Sequence, residues 1–286
     1  MNKNGMKTAV LLGGLGGLVV LIGSAFGTTG AVVGFAVALV MVGGSYWFSD
    51  RLAIKAARAI PVTEAEMPDY YDIVRELSHT AGIPMPKLYV TADQQPNAFA
   101  TGRNPSHAAI AVTTGLVEML DRRELRGVLA HEISHIANRD ILIGSVAAAI
   151  ATGISFIANM AMWSSFFGGG NDDEGDTNPI ALLAAALLAP IAAGLLQMAL
   201  SRNREFEADR FGAQLAGDGQ PLASALMKLE GAARRIPMEV LPAQANKFIV
   251  NPLSSGGVKF SRLFLTHPPT ADRVARLQQH SRTASM

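Results

Sequence analysis

His131-Glu132-Ile133-Ser134-His135 is the stretch whose residue types and spacing could most directly do chemistry. On a helix, residues four apart are separated by about 40° around the axis, since each residue turns roughly 100°. His131 and His135 then project the same way, one turn apart, where they can share one metal ion. Glu132, one step round, can reach a water on that metal without ligating it. H-E-x-x-H on a helix is therefore a pair of imidazole ligands for zinc with a general base beside them. The helix has support of its own. Asp121 and Glu124 have the spacing of a capping box, and Leu125, Val128, Leu129, Ile133 and Ile136 form an apolar stripe. The plainer alternative is a helix with two structural histidines, so a third ligand has to decide.

The run Ser201-Arg202-Asn203-Arg204-Glu205-Phe206-Glu207-Ala208-Asp209-Arg210 offers one. Glu205 and Asp209 are four apart and share a helical face. Two histidines and one glutamate leave a fourth zinc position for water, as a catalytic site needs. Asp209, one turn on, can accept the ring N–H of a ligand histidine and fix its tautomer. Glu207 competes with Glu205, but it projects to another face and both cannot ligate from a regular helix. Glu205 is preferred because it pairs with Asp209. Taken alone, the run also reads as a solvated charged helix.

The elements that must position these residues follow from the chain as a whole. It has 286 residues, 49% hydrophobic and only 16% charged, a balance common among membrane proteins. The net charge of +1 gives no ground for a nucleic-acid partner. There are no cysteines, which excludes disulfides, thiolate metal sites and a cysteine nucleophile. Any transition metal must be held by His, Asp or Glu.

Residues 9–25 and 31–48 lack charge, as do 141–163 and 180–200, and each run is about long enough to cross a ~30 Å hydrocarbon core as a helix. Tyr46 and Trp47 would be interfacial anchors. The expectation is a transmembrane hairpin over 1–49, a globular segment over 50–140 that carries the His131 motif, a second hairpin over 141–200 with an acidic external loop at 164–179, and a closing globular segment over 201–286 that carries Glu205. Lys3, Lys7, Arg51, Lys55, Arg58, Arg139, Arg202 and Arg204 all flank span ends on one face, which the positive-inside rule places in the cytoplasm. If the helices run on unbroken, His135 and Glu205 stand at matching heights above the bilayer; a break at Asn138-Arg139-Asp140 would weaken that match. Within 50–140 the pattern predicts a helix over Asp69 to Thr80 and strands at Lys87 to Thr91, Asn97 to Thr101 and Ala108 to Thr113.

Gln95-Pro96-Asn97-Ala98-Phe99-Ala100-Thr101-Gly102, Thr113-Thr114-Gly115-Leu116, the His131 motif, the Glu205 run and His267-Pro268-Pro269 together resemble the HtpX-type membrane zinc metalloproteases of the gluzincin clan. The resemblance covers most of the chain. It implies an α+β fold: a mostly helical zincin-like domain with a small β-sheet, fused to about four transmembrane helices. It implies an integral inner-membrane endopeptidase of bacteria, with one Zn²⁺ and a cytoplasmic site, cutting misfolded membrane proteins or unfolded polypeptides under stress. The bilayer would be a partner, and an oligomer is left open. His131, His135 and Glu205 would be ligands, Glu132 the base and Asp209 the carboxylate behind a ligand.

His267 and Arg273 are candidates for donors to the oxyanion by resemblance to similar proteases, although Thr266-His267-Pro268-Pro269 also reads as a helix start with His267 a local cap. Asn97, Ala98, Phe99 and Ala100 form a plausible edge strand, and the resemblance suggests that it holds substrate by backbone pairing. Three other readings compete: a transporter built on the four spans, disfavoured because they carry no Asp, Glu, Lys or Arg, and two more. One is a membrane scaffold with structural zinc, which would have no use for Glu132. The other is a prenylated-protein protease of the same clan, for which four spans are too few.

Overall fold

The computed structural model describes residues 27–142, 202–235 and 268–284, with a few isolated positions before 27. Helix α1 (Gly27–Trp47) leads into the short α2 (Ser49–Ala56). Strand β1 (Ile60–Pro61) and helix α3 (Pro68–Thr80) follow, then β2 (Lys87–Thr91), β3 (Ala98–Gly102) and β4 (Ala108–Thr113). Next come α4 (Thr114–Met119), α5 (Arg122–Ala137), α6 (Arg202–Ala216), α7 (Gln220–Arg235) and α8 (Thr270–Ala284).

The strands form one sheet in the order β1-β2-β4-β3. β2 runs parallel to β4, and β3 pairs antiparallel with β4, Ala100 opposite Ile110. Side chains alternate across the sheet, so β3 and β4 feed two clusters. Ala98, Ile110 and Val112 join Tyr70, Ile73, Leu77, Leu129 and Ile133 in the main core. Phe99 and Ala111 pack with Ala53 of α2 on the other face. Tyr70 donates from its hydroxyl to the Ile110 carbonyl at 3.1 Å, tying α3 to the sheet and satisfying an otherwise costly buried OH.

Two motifs that lie apart in sequence are one structure here. Thr113 caps α4, its hydroxyl accepting from Leu116 N at 3.1 Å and from Asn97 N at 2.9 Å, while Thr113 N donates to Asn97 O at 2.9 Å. Gly115 sits against Gln94 so closely that any Cβ would collide with the Gln94 carbonyl. The start of β3 is thereby clamped to the end of β4.

α5 is the central helix. Asp121 caps it with reciprocal bonds to Glu124, and Leu125, Val128, Leu129, Ile133 and Ile136 are all buried. It packs against α3, α6, α7 and β3. Residues from both sides of the 143–201 interval share the core, including Leu116 and Val128 with Leu222, Leu226 and Leu277.

The membrane expectation is corrected. Among the described residues no helix is long and apolar enough to cross a membrane. Of the predicted spans, 31–48 falls within α1 except for Phe48; Gly27-Thr28-Thr29-Gly30 opens the helix and Gly43-Gly44-Ser45-Tyr46 lies at its close. The apolar stretch between them, Ala31 to Val42, rises only about 18 Å at 1.5 Å per residue, short of a ~30 Å core. Trp47 is engaged by the β3–β4 turn: Arg103 donates to its carbonyl at 3.1 Å and lies over its ring at 4.8 Å. The fusion to four transmembrane helices and the multi-pass membrane location drawn from it do not stand on these residues. The run at 9–25 is described only at isolated positions, and the run at 141–163 beyond Leu142, the run at 180–200 and the loop at 164–179 lie outside the described residues. α5 also ends at Ala137 with Arg139 in left-handed backbone, so the unbroken helix assumed in matching ligand heights is absent.

Candidate metal centre

α5 and α6 cross where Gly212 faces His131. A Cβ on Gly212 would stand 3.0 Å from His131 N, so the missing side chain lets the two backbones approach. That approach sets the acidic face of α6 against the histidine face of α5. His131 Nε2 and His135 Nε2 are 3.1 Å apart, and each lies 3.7 Å from an oxygen of Glu205. The three ligand atoms all fall within 4.8 Å of one another. Ligand atoms held about 2.0–2.1 Å from one tetrahedral ion would be roughly 3.3–3.4 Å apart, so the triangle has the size zinc requires. Glu207, the competing candidate, is exposed and pairs with Arg210.

Hydrogen bonding behind the rings makes the same point. His131 Nδ1 lies 3.0 Å from Asp209 Oδ1, and His135 Nδ1 lies 3.1 Å from Asp140 Oδ2. A carboxylate there selects the tautomer with the proton on Nδ1. Both Nε2 atoms therefore turn lone pairs towards each other and towards Glu205. Without metal a proton between the two Nε2 atoms satisfies this arrangement, and zinc, when bound, would take the place of that proton.

Charge agrees. Burial disfavours a protonated His135, but the carboxylates of Asp140, Glu205 and Glu132 outweigh it and hold the ring's pKa up to about 10. For His131 burial dominates and lowers the pKa, despite Asp209. Burial pushes Glu132 up to about 7, against His135 and with a further push from Glu205. This is a negative, nearly dry pocket, suited to a dication. The donor set and its geometry fit a single zinc ion held by His131, His135 and Glu205.

Around the triangle, Glu132 Oε2 accepts from Ala100 N of β3 at 2.8 Å. β3 lies at the edge of the sheet, with β4 on one side. Asn97, Ala98 and Phe99 are buried and Ala100 is half-buried. Arg273, fully buried on α8, forks onto Asp209 through Nε at 2.8 Å and Nη2 at 2.7 Å. Nη2 also lies 3.5 Å from His131 Nδ1. Burial favours a protonated Asp209, yet the Arg273 charge wins and holds its carboxyl well below the usual carboxylate range. Arg273, expected to face the oxyanion, thus contacts the carboxylate behind a ligand. His267 lies outside the described residues.

Sequence reasoning missed Asp140 as a partner of His135. Its spacing of five residues follows no helical face, and only the turn after α5 brings it round.

The profile of peptidase family M48 matches residues 64–281. A "Protease HtpX homolog" of Pelotomaculum thermopropionicum is 53% identical over 277 residues, covering 96% of this chain and 98% of that protein. A second, from Paraburkholderia phytofirmans, is 50% identical over 284 residues, covering 98% of each. The crystal structure of S. mikatae Ste24p is similar in fold, with a TM-score of 0.50 and 21% identity, covering 96% of this chain and 64% of that one. With two imidazoles and a carboxylate converging on one zinc position, and relatives matched end to end, this chain belongs to peptidase family M48 as a zinc-dependent protease of the HtpX type.

Proposed function

We propose that this zinc endopeptidase cuts unfolded polypeptides, misfolded membrane proteins among them, with Glu132 as general base. The observation that carries the reading is Glu132 itself: it neighbours the metal triangle, does not belong to it, and touches the edge strand. A structural zinc site has no role for such a group. Zinc, when bound, supplies a Lewis acid that polarises the scissile carbonyl and acidifies water at the open position. Glu132 takes the proton of the attacking water and delivers it to the leaving amine, a task matched to a carboxyl pushed up to about 7 by burial. Ala100 N–H steadies that carboxylate. The outer edge of β3, at Asn97 to Ala100, is where the extended backbone of the substrate would pair, so recognition reads main chain and tolerates many sequences. Extended, unfolded chains present that main chain; folded ones do not. Arg273 serves this chemistry through Asp209, which keeps the His131 ring in place.

The test is cleavage of an unfolded membrane protein in detergent by purified wild type and Glu132→Gln, each with and without chelator. Wild type should cut and lose activity with chelator. Glu132→Gln should keep its zinc and lose about 10²–10⁴-fold in kcat. A variant that retains both zinc and full activity would remove Glu132 from the reaction.

A further inference from the structure

Each ligand histidine is backed by a carboxylate, and only one of the two stands where helix packing would put it. Asp209 comes from α6, across the helix crossing. Asp140 comes from the turn that ends α5. Asn138 N donates to Ser134 O at 2.9 Å, Arg139 N to Ile136 O at 3.1 Å and Asp140 N to His135 O at 3.2 Å. Arg139 takes a left-handed φ of 59°, a conformation unfavourable for a non-glycine residue. The turn returns the Asp140 carboxylate to the ring of the residue whose carbonyl its own N–H already holds, so His135 is gripped at backbone and imidazole together.

Asp140 stands between two helices, past the end of α5 and directly before the helical residues Ile141 and Leu142, a place where an aspartate can also cap a helix start. The C-terminal end of α5 disfavours a carboxylate and the start of the following helix favours one, so helix dipoles alone do not explain its place. Asp140 is also only 7% exposed, and its Oδ1 has no hydrogen-bond partner among the described residues. A buried carboxylate with an oxygen that lacks a hydrogen-bond partner, set in place by a left-handed neighbour, carries a desolvation cost that its bond to the imidazole offsets. Its Oδ2 bonds to His135, a metal ligand.

We propose that Asp140 is the positioning residue of His135: it holds the proton on Nδ1 and the ring in the orientation that turns Nε2 to zinc. The proposal rests on the metal site proposed above. It gives the site two carboxylate–histidine pairs of separate origin, one built between helices and one within a five-residue turn. Asp140 itself does not touch the metal or the substrate.

The experiment compares the zinc affinity of wild type, Asp140→Ala and Asp140→Asn by chelator competition, with thermal unfolding of each metal-free protein. Asp140→Ala should weaken zinc binding by about 10–100-fold. Asp140→Asn keeps an acceptor for the Nδ1–H and should lose less. Thermal unfolding of the metal-free proteins shows that each variant is folded before zinc affinities are compared; Asn caps a helix start about as well as Asp, so a capping role alone would leave Asp140→Asn unchanged. Nitrogen NMR of zinc-loaded wild type should show His135 bound through Nε2 with its proton on Nδ1, a readout that survives should Asp140→Ala fail to fold. The proposal is overturned if Asp140→Ala binds zinc as wild type does, if Asp140→Asn is as weak as Asp140→Ala, or if His135 ligates through Nδ1. Wild type that binds no zinc overturns the metal site as well, which separates the two failures.

Discussion

Arg273 and Asp209 make an ion pair with almost no water around it, both partners being about 1–4% exposed at the side chain. Removing one partner of such a pair strands the other, at a cost of about 3–5 kcal/mol. Arg273→Ala should therefore unfold at markedly lower denaturant when metal-free, and should also bind zinc more weakly because Asp209 no longer steadies His131. Arg273→Lys should recover only part of both, since an ammonium cannot span the two carboxylate oxygens that Nε and Nη2 now occupy. Denaturant titration and zinc competition check this; an Arg273→Ala protein as stable as wild type would contradict the ion pair. At this scale the sequence was informative where a helical repeat carried the signal. Glu205 could be preferred to Glu207 because Asp209 lay four residues on. Asp140 was invisible to that logic, because a left-handed residue breaks the repeat between it and His135. The partner of Arg273 was invisible too: 64 residues separate it from Asp209, and only tertiary packing joins them.

The N-terminal turn of α5 carries a second polar cluster, remote from the metal. Glu124 closes the capping box on Asp121 and also accepts from Ser224 Oγ at 2.7 Å and Lys228 Nζ at 2.6 Å on α7. Burial works to raise its pKa, but Lys228, Ser224 and the Asp121 N–H outweigh it and hold the group below its ordinary value. The folded state therefore prefers the carboxylate more than the unfolded chain does. That stabilisation is present in full above the unfolded pKa and is lost as pH falls through the lowered folded one. Because Lys228 is half-exposed, the contribution is about 1 kcal/mol. Metal-free wild type should lose more stability than Glu124→Gln between neutrality and about pH 3, measured by denaturant unfolding. Parallel losses would exclude the cluster as an acid-sensitive contact. The capping box itself was readable from Asp121 and Glu124, as were α3, β2 and β4, where apolar periodicity is clear. β1 was not, since two exposed residues carry no pattern. α7 shows Leu222, Ala225, Leu226 and Leu229 at helical spacing, a signal present in the sequence but not used. For α1 the length without charge misled, because glycine, threonine and serine at its ends add length without adding hydrophobicity.

Across the whole molecule, zinc ties α5 to α6, and these helices sit at the centre of the packing. A ligand that binds only the folded state stabilises it by about 2.7 kcal/mol at a free concentration one hundred times its Kd. For a domain of 150–250 residues that corresponds to a Tm rise of roughly 5–10 °C. Wild type should show this rise on adding zinc after chelation, and His131→Ala should not. Equal shifts in both would place the metal elsewhere. The M48 character of the chain was legible because the motif residues are short and local. Their assembly was not, since the core draws on Val62 through Leu277 at once.

The order in which these pieces are synthesised has a further consequence. His131 and His135 are made first, Glu205 and Asp209 much later, and Arg273 last of all. Until α8 exists, Asp209 has no guanidinium to neutralise it, and burying it against His131 is unfavourable. A nascent chain therefore passes most of its synthesis without a competent cutting centre. Hydrolytic power arrives together with the finished fold, so half-made copies are kept from attacking the unfolded chains around them, themselves included.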